Sequence, residues 1–309
     1  MLESLNAFSQ EMHNGFVVTD DIIMNEVFEG SEDKFFVNVN GNRYLVKDSS
    51  FNRRRKQKSL APYCEYVGSH FMNQLGLECQ ETFLGVYTGR PVVICKDIFN
   101  QSTFRPFRDL HQSSVDSALA TKEYTYNDVV YVMTKIHNLE ENELTNALGS
   151  FWKMFIGDAI LGNRDRHEGN WGFIVNDGKL RFSPVFDNGS SLFPDVKLTN
   201  WKTYDFIKQR VYEIPGSQFK MWREGITDRP MRTNYWQVIN DASINANFKK
   251  EIKALQSFNV EGAIEQSVLG VPKEYADWFR VIIFCRFNCL IRKFDFDTVF
   301  RMAGERYDF

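Results

Sequence analysis

Apolar and polar positions alternate with a period of two through much of the first hundred residues. They recur every three or four residues through most of the remainder, so a β-rich front precedes a helical body. The β-prone runs 34–39 and 43–47 are joined by Asn40-Gly41, two residues that accept the positive φ of a tight hairpin turn. A helix follows, with Pro62 suited to its first turn, Tyr63, Tyr66, Val67, His70, Phe71 and Leu75 at helical spacing, and Gly76 as its cap. Residues 82–87 and 91–96 form a second hairpin around Thr88-Gly89-Arg90.

Past residue 100 the pattern predicts helices over 129–137 and 151–161, the second ended by Gly162. The block 163–170 is crowded with Asn, Asp and Gly and reads as a loop. Residues 171–175 and 179–183 flank Asn176-Asp177-Gly178 as a third hairpin, and Asp187-Asn188-Gly189 follows. Beyond Trp201 the chain reads as helical to its end, most clearly over 275–293. The expected architecture is a two-lobed α+β fold, with a small β-rich N-lobe over 1–99 and a larger, mostly helical C-lobe over 100–309.

Composition permits this and narrows the function. Hydrophobic residues make up 43% of the 309 residues and aromatics 15%, enough for packed cores without disulfide or metal staples. A net charge of -3 argues against a general nucleic-acid binder or an anionic-membrane binder. Residues 1–18 lack a basic start followed by an apolar core, and no apolar run is long enough to span a membrane. The five cysteines form no CxxC pair, and Cys285 and Cys289 lie four apart in an apolar helical pattern, as buried thiols do. A reducing, cytoplasmic setting is expected, with delivery into another cell as an effector left open.

The chemistry concentrates in the polar loops. Asp165 and Asn170 lie five residues apart, the spacing that supplies a catalytic carboxylate and a Mg²⁺-binding amide from one phosphoryl-transfer loop. Asp187, with Gly189 two residues on, lies across the third hairpin, where a second metal carboxylate is expected. Singly these are ordinary turn formers; in this order they outline a metal–phosphate site. Upstream, Lys47 ends a strand and Glu65 falls in the first turn of the next helix, a lysine for phosphates and an acid to hold it. The turn Gly30-Ser31-Glu32-Asp33-Lys34 has one glycine and matches no glycine-rich fingerprint, though its N–H groups suit phosphate. Asp158 is expected to be a buried carboxylate that ties down the loop, through Arg166 or backbone N–H groups, and His167 to position the loop or contact nucleotide. The basic run over 53–58 reads as a solvated loop, with contact to an acidic substrate or to phosphates as the sharper alternative.

Several stretches together carry a resemblance. They are Tyr44-Leu45-Val46-Lys47, Cys64-Glu65-Tyr66-Val67, Leu75-Gly76-Leu77 and Val92-Val93-Ile94-Cys95-Lys96-Asp97. The most specific are Asn163-Arg164-Asp165-Arg166-His167-Glu168-Gly169-Asn170-Trp171 and Pro184-Val185-Phe186-Asp187-Asn188-Gly189-Ser190. The chain thereby resembles the HipA-like kinase family, in particular its compact members of CtkA type without HipA's N-terminal subdomain. The resemblance implies ATP and Mg²⁺ as cofactors and a serine or threonine of a protein as acceptor. It implies Asp165 as base, Asn170 and Asp187 as metal ligands, and Lys47 as the phosphate lysine. Gly30, Ser31 and Lys34 would belong to the phosphate loop, and Cys95, Lys96 and Asp97 to the hinge whose backbone holds adenine. Some members are toxins, so an antitoxin is a candidate partner. Val27 stands where HipA carries its autophosphorylated serine, which puts regulation by that route in doubt. A lipid kinase and an inactive pseudokinase are the alternatives. The absence of a membrane-binding signal weighs against the first, and retention of Lys47, Asp165, Asn170 and Asp187 against the second.

Overall fold

The protein is described by a computed structural model over residues 16–20, 23–24, 33–52, 56–99, 102–114, 126–136, 139, 141–176, 178–213, 216–221, 231–235 and 246–309. The strands are β1 (Phe16–Val18), β2 (Asp33–Val39), β3 (Asn42–Asp48), β4 (Phe51–Asn52), β5 (Gln57–Lys58), β6 (Thr82–Tyr87), β7 (Arg90–Lys96), β8 (Thr103–Pro106), β9 (Gly172–Asn176), β10 (Lys179–Phe182), β11 (Gly216–Met221) and β12 (Met231–Asn234). The helices are α1 (Ala61–Gln74), α2 (Phe107–Ser114), α3 (Tyr126–Lys135), α4 (Glu141–Leu161), α5 (Tyr204–Tyr212), α6 (Ala246–Gln256), α7 (Val260–Ser267), α8 (Lys273–Leu290) and α9 (Phe296–Tyr307).

The front of the chain forms a five-stranded sheet in the order β1-β6-β7-β3-β2. Asn40 and Gly41 close the first hairpin at φ of 53° and 80°, as their side chains permit. Register then pairs Lys34 with Lys47 and Leu45 with Cys95, which puts these residues on one face, because side chains directly opposite share a side. The other face carries Val37, Tyr44, Val46, Val92 and Ile94, a small core of its own.

Helix α1 lies under the sheet, and Val67, Phe71 and Met72 join Val93 and Cys95 to the main core of the helical lobe. Further contacts fasten the sheet's underside to the second lobe. Cys79 bridges to Val185, with Gln80 N donating to Val185 O at 2.9 Å and Val185 N to Glu78 O at 2.8 Å. In the second lobe α8 is the central helix, and Trp278, Phe279, Phe284 and Phe287 on it are fully buried. The resulting two-lobed α+β arrangement is the one the hydrophobic pattern predicts, and its protein-kinase-like layout is the one the family resemblance implies.

Several details differ from the sequence reading, among them strand β8, which turns the third hairpin into a three-stranded sheet. The stretch after Trp201 is not helical throughout, because β11 and β12 pair antiparallel within it. Helix α4 is longer than expected, running from Glu141, because its first two turns are amphipathic and only partly buried. Helix α1 begins at Ala61, so Glu65 lies beyond its first turn, and what it meets is Lys47 rather than the helix terminus. All five cysteines are free thiols, and no described helix is long and apolar enough to cross a membrane.

Candidate active site

Lys47, next to last in β3, lies on the inner face of the sheet, 6% exposed, and α1 presents Glu65 beneath it. Lys47 Nζ donates to Glu65 Oε2 at 3.1 Å and to Asp187 Oδ1 at 2.9 Å. Burial disfavours the lysine charge, but Glu65 and Asp187 outweigh it and hold its pKa well above the usual value. In return Lys47 holds the Asp187 carboxyl well below the ordinary carboxylate range, against the effect of burial. Both groups therefore stay ionised at neutral pH. Asp187 itself sits at φ 59°, a left-handed conformation that aspartate tolerates better than most residues.

The loop after α4 is held by its own polar side chains. Asn163 Nδ2 donates to Asp158 Oδ1 at 2.9 Å, and Asn163 Oδ1 accepts from Asp165 N at 2.9 Å. The Asp165 carbonyl accepts from His167 N at 2.8 Å and from Asn170 Nδ2 at 3.0 Å. Asn170 thus spends its amide N–H on the loop and keeps its Oδ1 as an oxygen donor. His167 Nδ1 accepts from Gly169 N at 3.0 Å, a contact within the loop. Asp165 is exposed, and each of these bonds reaches it through its main chain.

Beneath the loop lies the ion pair expected from the sequence. Arg166 Nε donates to Asp158 Oδ2 at 2.9 Å, both side chains almost fully buried. Burial raises the Asp158 carboxyl above its usual value even though Arg166 and Asn163 pull it down. Arg166 also donates to Phe186 O, to Asn170 O at 3.1 Å and to Asn188 Oδ1 at 2.6 Å. One guanidinium therefore joins the Asp165 loop to the Asp187 turn.

Asn188 is the residue the sequence reading undervalued. It is fully buried, its N–H donates to Glu65 Oε1 at 3.0 Å, and its Nδ2 donates to Ser69 Oγ at 3.0 Å. Glu65 thus binds Lys47 with one oxygen and the Asp187 turn with the other. Gly68 makes this approach feasible, since a Cβ there would meet Asn188 Cβ at 2.8 Å. The only signal in the sequence was adjacency to Asp187, because the partners Ser69 and Glu65 are more than a hundred positions away.

A cleft of about 400 Å³ opens above these groups, lined by Lys34, Lys47, Glu65, Asp165 and Asp187 together with Asp48, Arg90 and Asp195. Residues from β2, β3, α1 and both polar loops therefore meet in one place. Cys95, Lys96 and Asp97, at and just past the end of β7, do not line this cleft, and Lys96 and Asp97 line a second cavity of about 650 Å³. There Lys96 N donates to Glu81 O at 2.9 Å and Asp97 N to Arg43 O at 3.0 Å, so both N–H groups are engaged within the protein. His167 and Asn170 do not line the cleft, and Gly30 and Ser31 lie outside the described residues. The basic run retains Lys56 and Lys58 as exposed positions, with 53–55 outside the described residues.

A buried lysine–glutamate pair under a sheet, sharing one cleft with the Asp165 and Asp187 carboxylates of a helical lobe, defines a kinase-like phosphotransferase. The comparisons with known proteins agree. The family described as HipA-like C-terminal domain matches residues 27–257, and the chain belongs to that family. The chain is similar to the serine/threonine-protein kinase CtkA of Helicobacter pylori strain J99, 33% identical over 231 residues that cover 68% of this chain and 67% of CtkA. It also resembles the crystal structure of the Helicobacter pylori proinflammatory kinase CtkA, with a TM-score of 0.72 and 27% identity, covering 94% of this chain and 99% of that one.

Proposed function

We propose that the cleft transfers the γ-phosphoryl group of Mg²⁺-bound ATP to a serine or threonine hydroxyl of a protein. The chain is a serine/threonine protein kinase on this reading. The observation that carries it is the double contact of Lys47 with Glu65 and Asp187, in a cleft that also exposes Asp165.

The residues present suit the cofactor. Mg²⁺ prefers oxygen ligands and in kinases takes one or two from the protein and the rest from phosphates and water. Asp187 and the Asn170 Oδ1 would hold the metal, and no cluster of three or more His, Cys, Asp or Glu that could hold a metal occurs among the described residues. Bound Mg–ATP would supply the phosphoryl group and neutralise the charge that develops on it. Lys47 would bind the phosphates, with Lys34 at the cleft wall as a second cation. Asp165 would accept the hydrogen bond of the acceptor hydroxyl, orient its oxygen for in-line attack and take up its proton. Gly30 and Ser31 would contribute to phosphate binding and the stretch Cys95, Lys96 and Asp97 would border the adenine, as the family resemblance implies.

The division into lobes at 1–99 and 100–309 belongs to the same proposal, with the cleft between them. A protein substrate is the partner. An antitoxin, and a role as toxin or effector, are the setting that the family resemblance suggests.

Nucleotide titration tests the metal assignment. The parent should bind ATP more tightly with Mg²⁺ than in EDTA. The Asp187→Ala variant is expected to lose that difference, because its carboxylate is the ionised metal ligand. Mg²⁺-dependent binding that survives the substitution unchanged would remove Asp187 from this role.

A further inference from the structure

Arg164, immediately before Asp165, does not line the cleft. Its guanidinium instead pairs with one oxygen of Glu213, just past the end of α5, and Arg210 in the last turn of α5 pairs with the other oxygen. A single carboxylate therefore bridges two guanidinium groups. Both also lie over the ring of Phe193, at 5.3 Å for Arg164 and 5.6 Å for Arg210. Phe193 is buried in the segment that follows the Asp187 turn, so the cluster touches the base's own loop and that segment at once.

Glu213 is itself held in place. The fully buried Arg286 donates to Arg210 O at 3.0 Å, Val211 O at 2.8 Å and Glu213 O at 3.3 Å at the end of α5. It also donates to Ala159 O and Ile160 O, both at 2.7 Å, at the end of α4, where the Asp165 loop begins. A cation set on two helix C-termini is favoured by their dipoles. Burial lowers the Arg286 pKa to about 10, which leaves it charged at neutral pH. The distance between Glu213 and the Asp165 loop is thereby fixed through the protein interior.

Kinases that are switched on by phosphorylation capture the new phosphate with arginines, and this orders the segment beside the active site. In this chain the arginine next to the base already has a carboxylate partner. We propose that Glu213 is a positioning residue: by bridging Arg164 and Arg210 it holds the Asp165 loop and the Phe193 segment in their working arrangement without any phosphate. The proposal rests on the kinase reading of the cleft.

Arg164 and Glu213 are partly exposed, and ion pairs of that kind contribute little to global stability. Their removal should therefore appear in the rate and leave the melting temperature nearly unchanged. Initial rates would be measured on enzyme treated with phosphatase and shown by intact mass to carry no phosphate. The dephosphorylated parent is expected to keep its initial rate. Glu213→Gln is expected to lose roughly tenfold to a hundredfold in kcat, as small misplacement of a catalytic group does, with KM for ATP little altered. Arg164→Ala should behave alike, and the double variant should lose no more than either single one. Transfer by the parent with undiminished kcat in Glu213→Gln, additive losses in the double variant, or a parent silenced by dephosphorylation would each overturn the clamp alone. A parent that binds ATP and phosphorylates no protein would sink the kinase reading, and the clamp with it.

Discussion

Asp165→Ala is expected to slow phosphoryl transfer by about 10²–10⁴-fold while leaving folding and ATP binding intact. The size follows from the loss of a positioned proton acceptor. The selectivity follows from how the residue is attached. Asn163 Oδ1 accepts from its N–H, and its carbonyl accepts from His167 N and Asn170 Nδ2, all main-chain links that alanine preserves. The exposed carboxylate carries none of that structure. The variant should unfold in urea at the parent's midpoint and bind nucleotide with the parent's affinity. A rate within about threefold of the parent's would remove Asp165 from proton transfer, since a general base is worth far more than that.

Asp158→Ala is expected to cost about 3–5 kcal/mol of stability, because it leaves a buried guanidinium without its counter-charge. Arg166 would still donate to Asn170 O and Asn188 Oδ1, but neutral acceptors do not replace a carboxylate in a desolvated site. The Asp165 loop and the Asp187 turn both hang on this guanidinium, so the rate should fall together with stability. Replacing the pair by apolar residues, as in Asp158→Leu with Arg166→Met, should recover much of the stability and none of the rate. Urea unfolding of the three proteins checks this. A loss below about 1 kcal/mol in Asp158→Ala would show that the pair behaves like a surface bridge.

Much of this was legible from local pattern. The hairpin at Asn40-Gly41 announces itself because both turn residues accept positive φ, and the one at Thr88-Gly89 is marked by its glycine. The long apolar stripes of α4 and α8 follow from helical periodicity. The Asp158–Arg166 pair was visible as an acid among apolar neighbours with a cation eight residues on. The Asn188–Ser69 bond and the Glu213 bridge were not, because their meaning depends on contacts between distant elements. The strands β11 and β12 were missed for a related reason, since Gly216–Met221 gains its strand character only by pairing with Met231–Asn234. Lys96 and Asp97 show the limit from the other side. Their position at the end of β7 was clear in the sequence, whereas the engagement of both N–H groups within the protein was not.

The central claim is that this cleft moves phosphate from ATP to a protein hydroxyl. Its most direct test is to incubate the purified chain with γ-labelled ATP and a protein substrate mixture, with Mg²⁺ or with EDTA, and to map the label by mass spectrometry. The account predicts Mg²⁺-dependent label on serine or threonine side chains. Label that appears equally in EDTA, that falls only on lipid, or that reaches no protein while ATP is bound would contradict it.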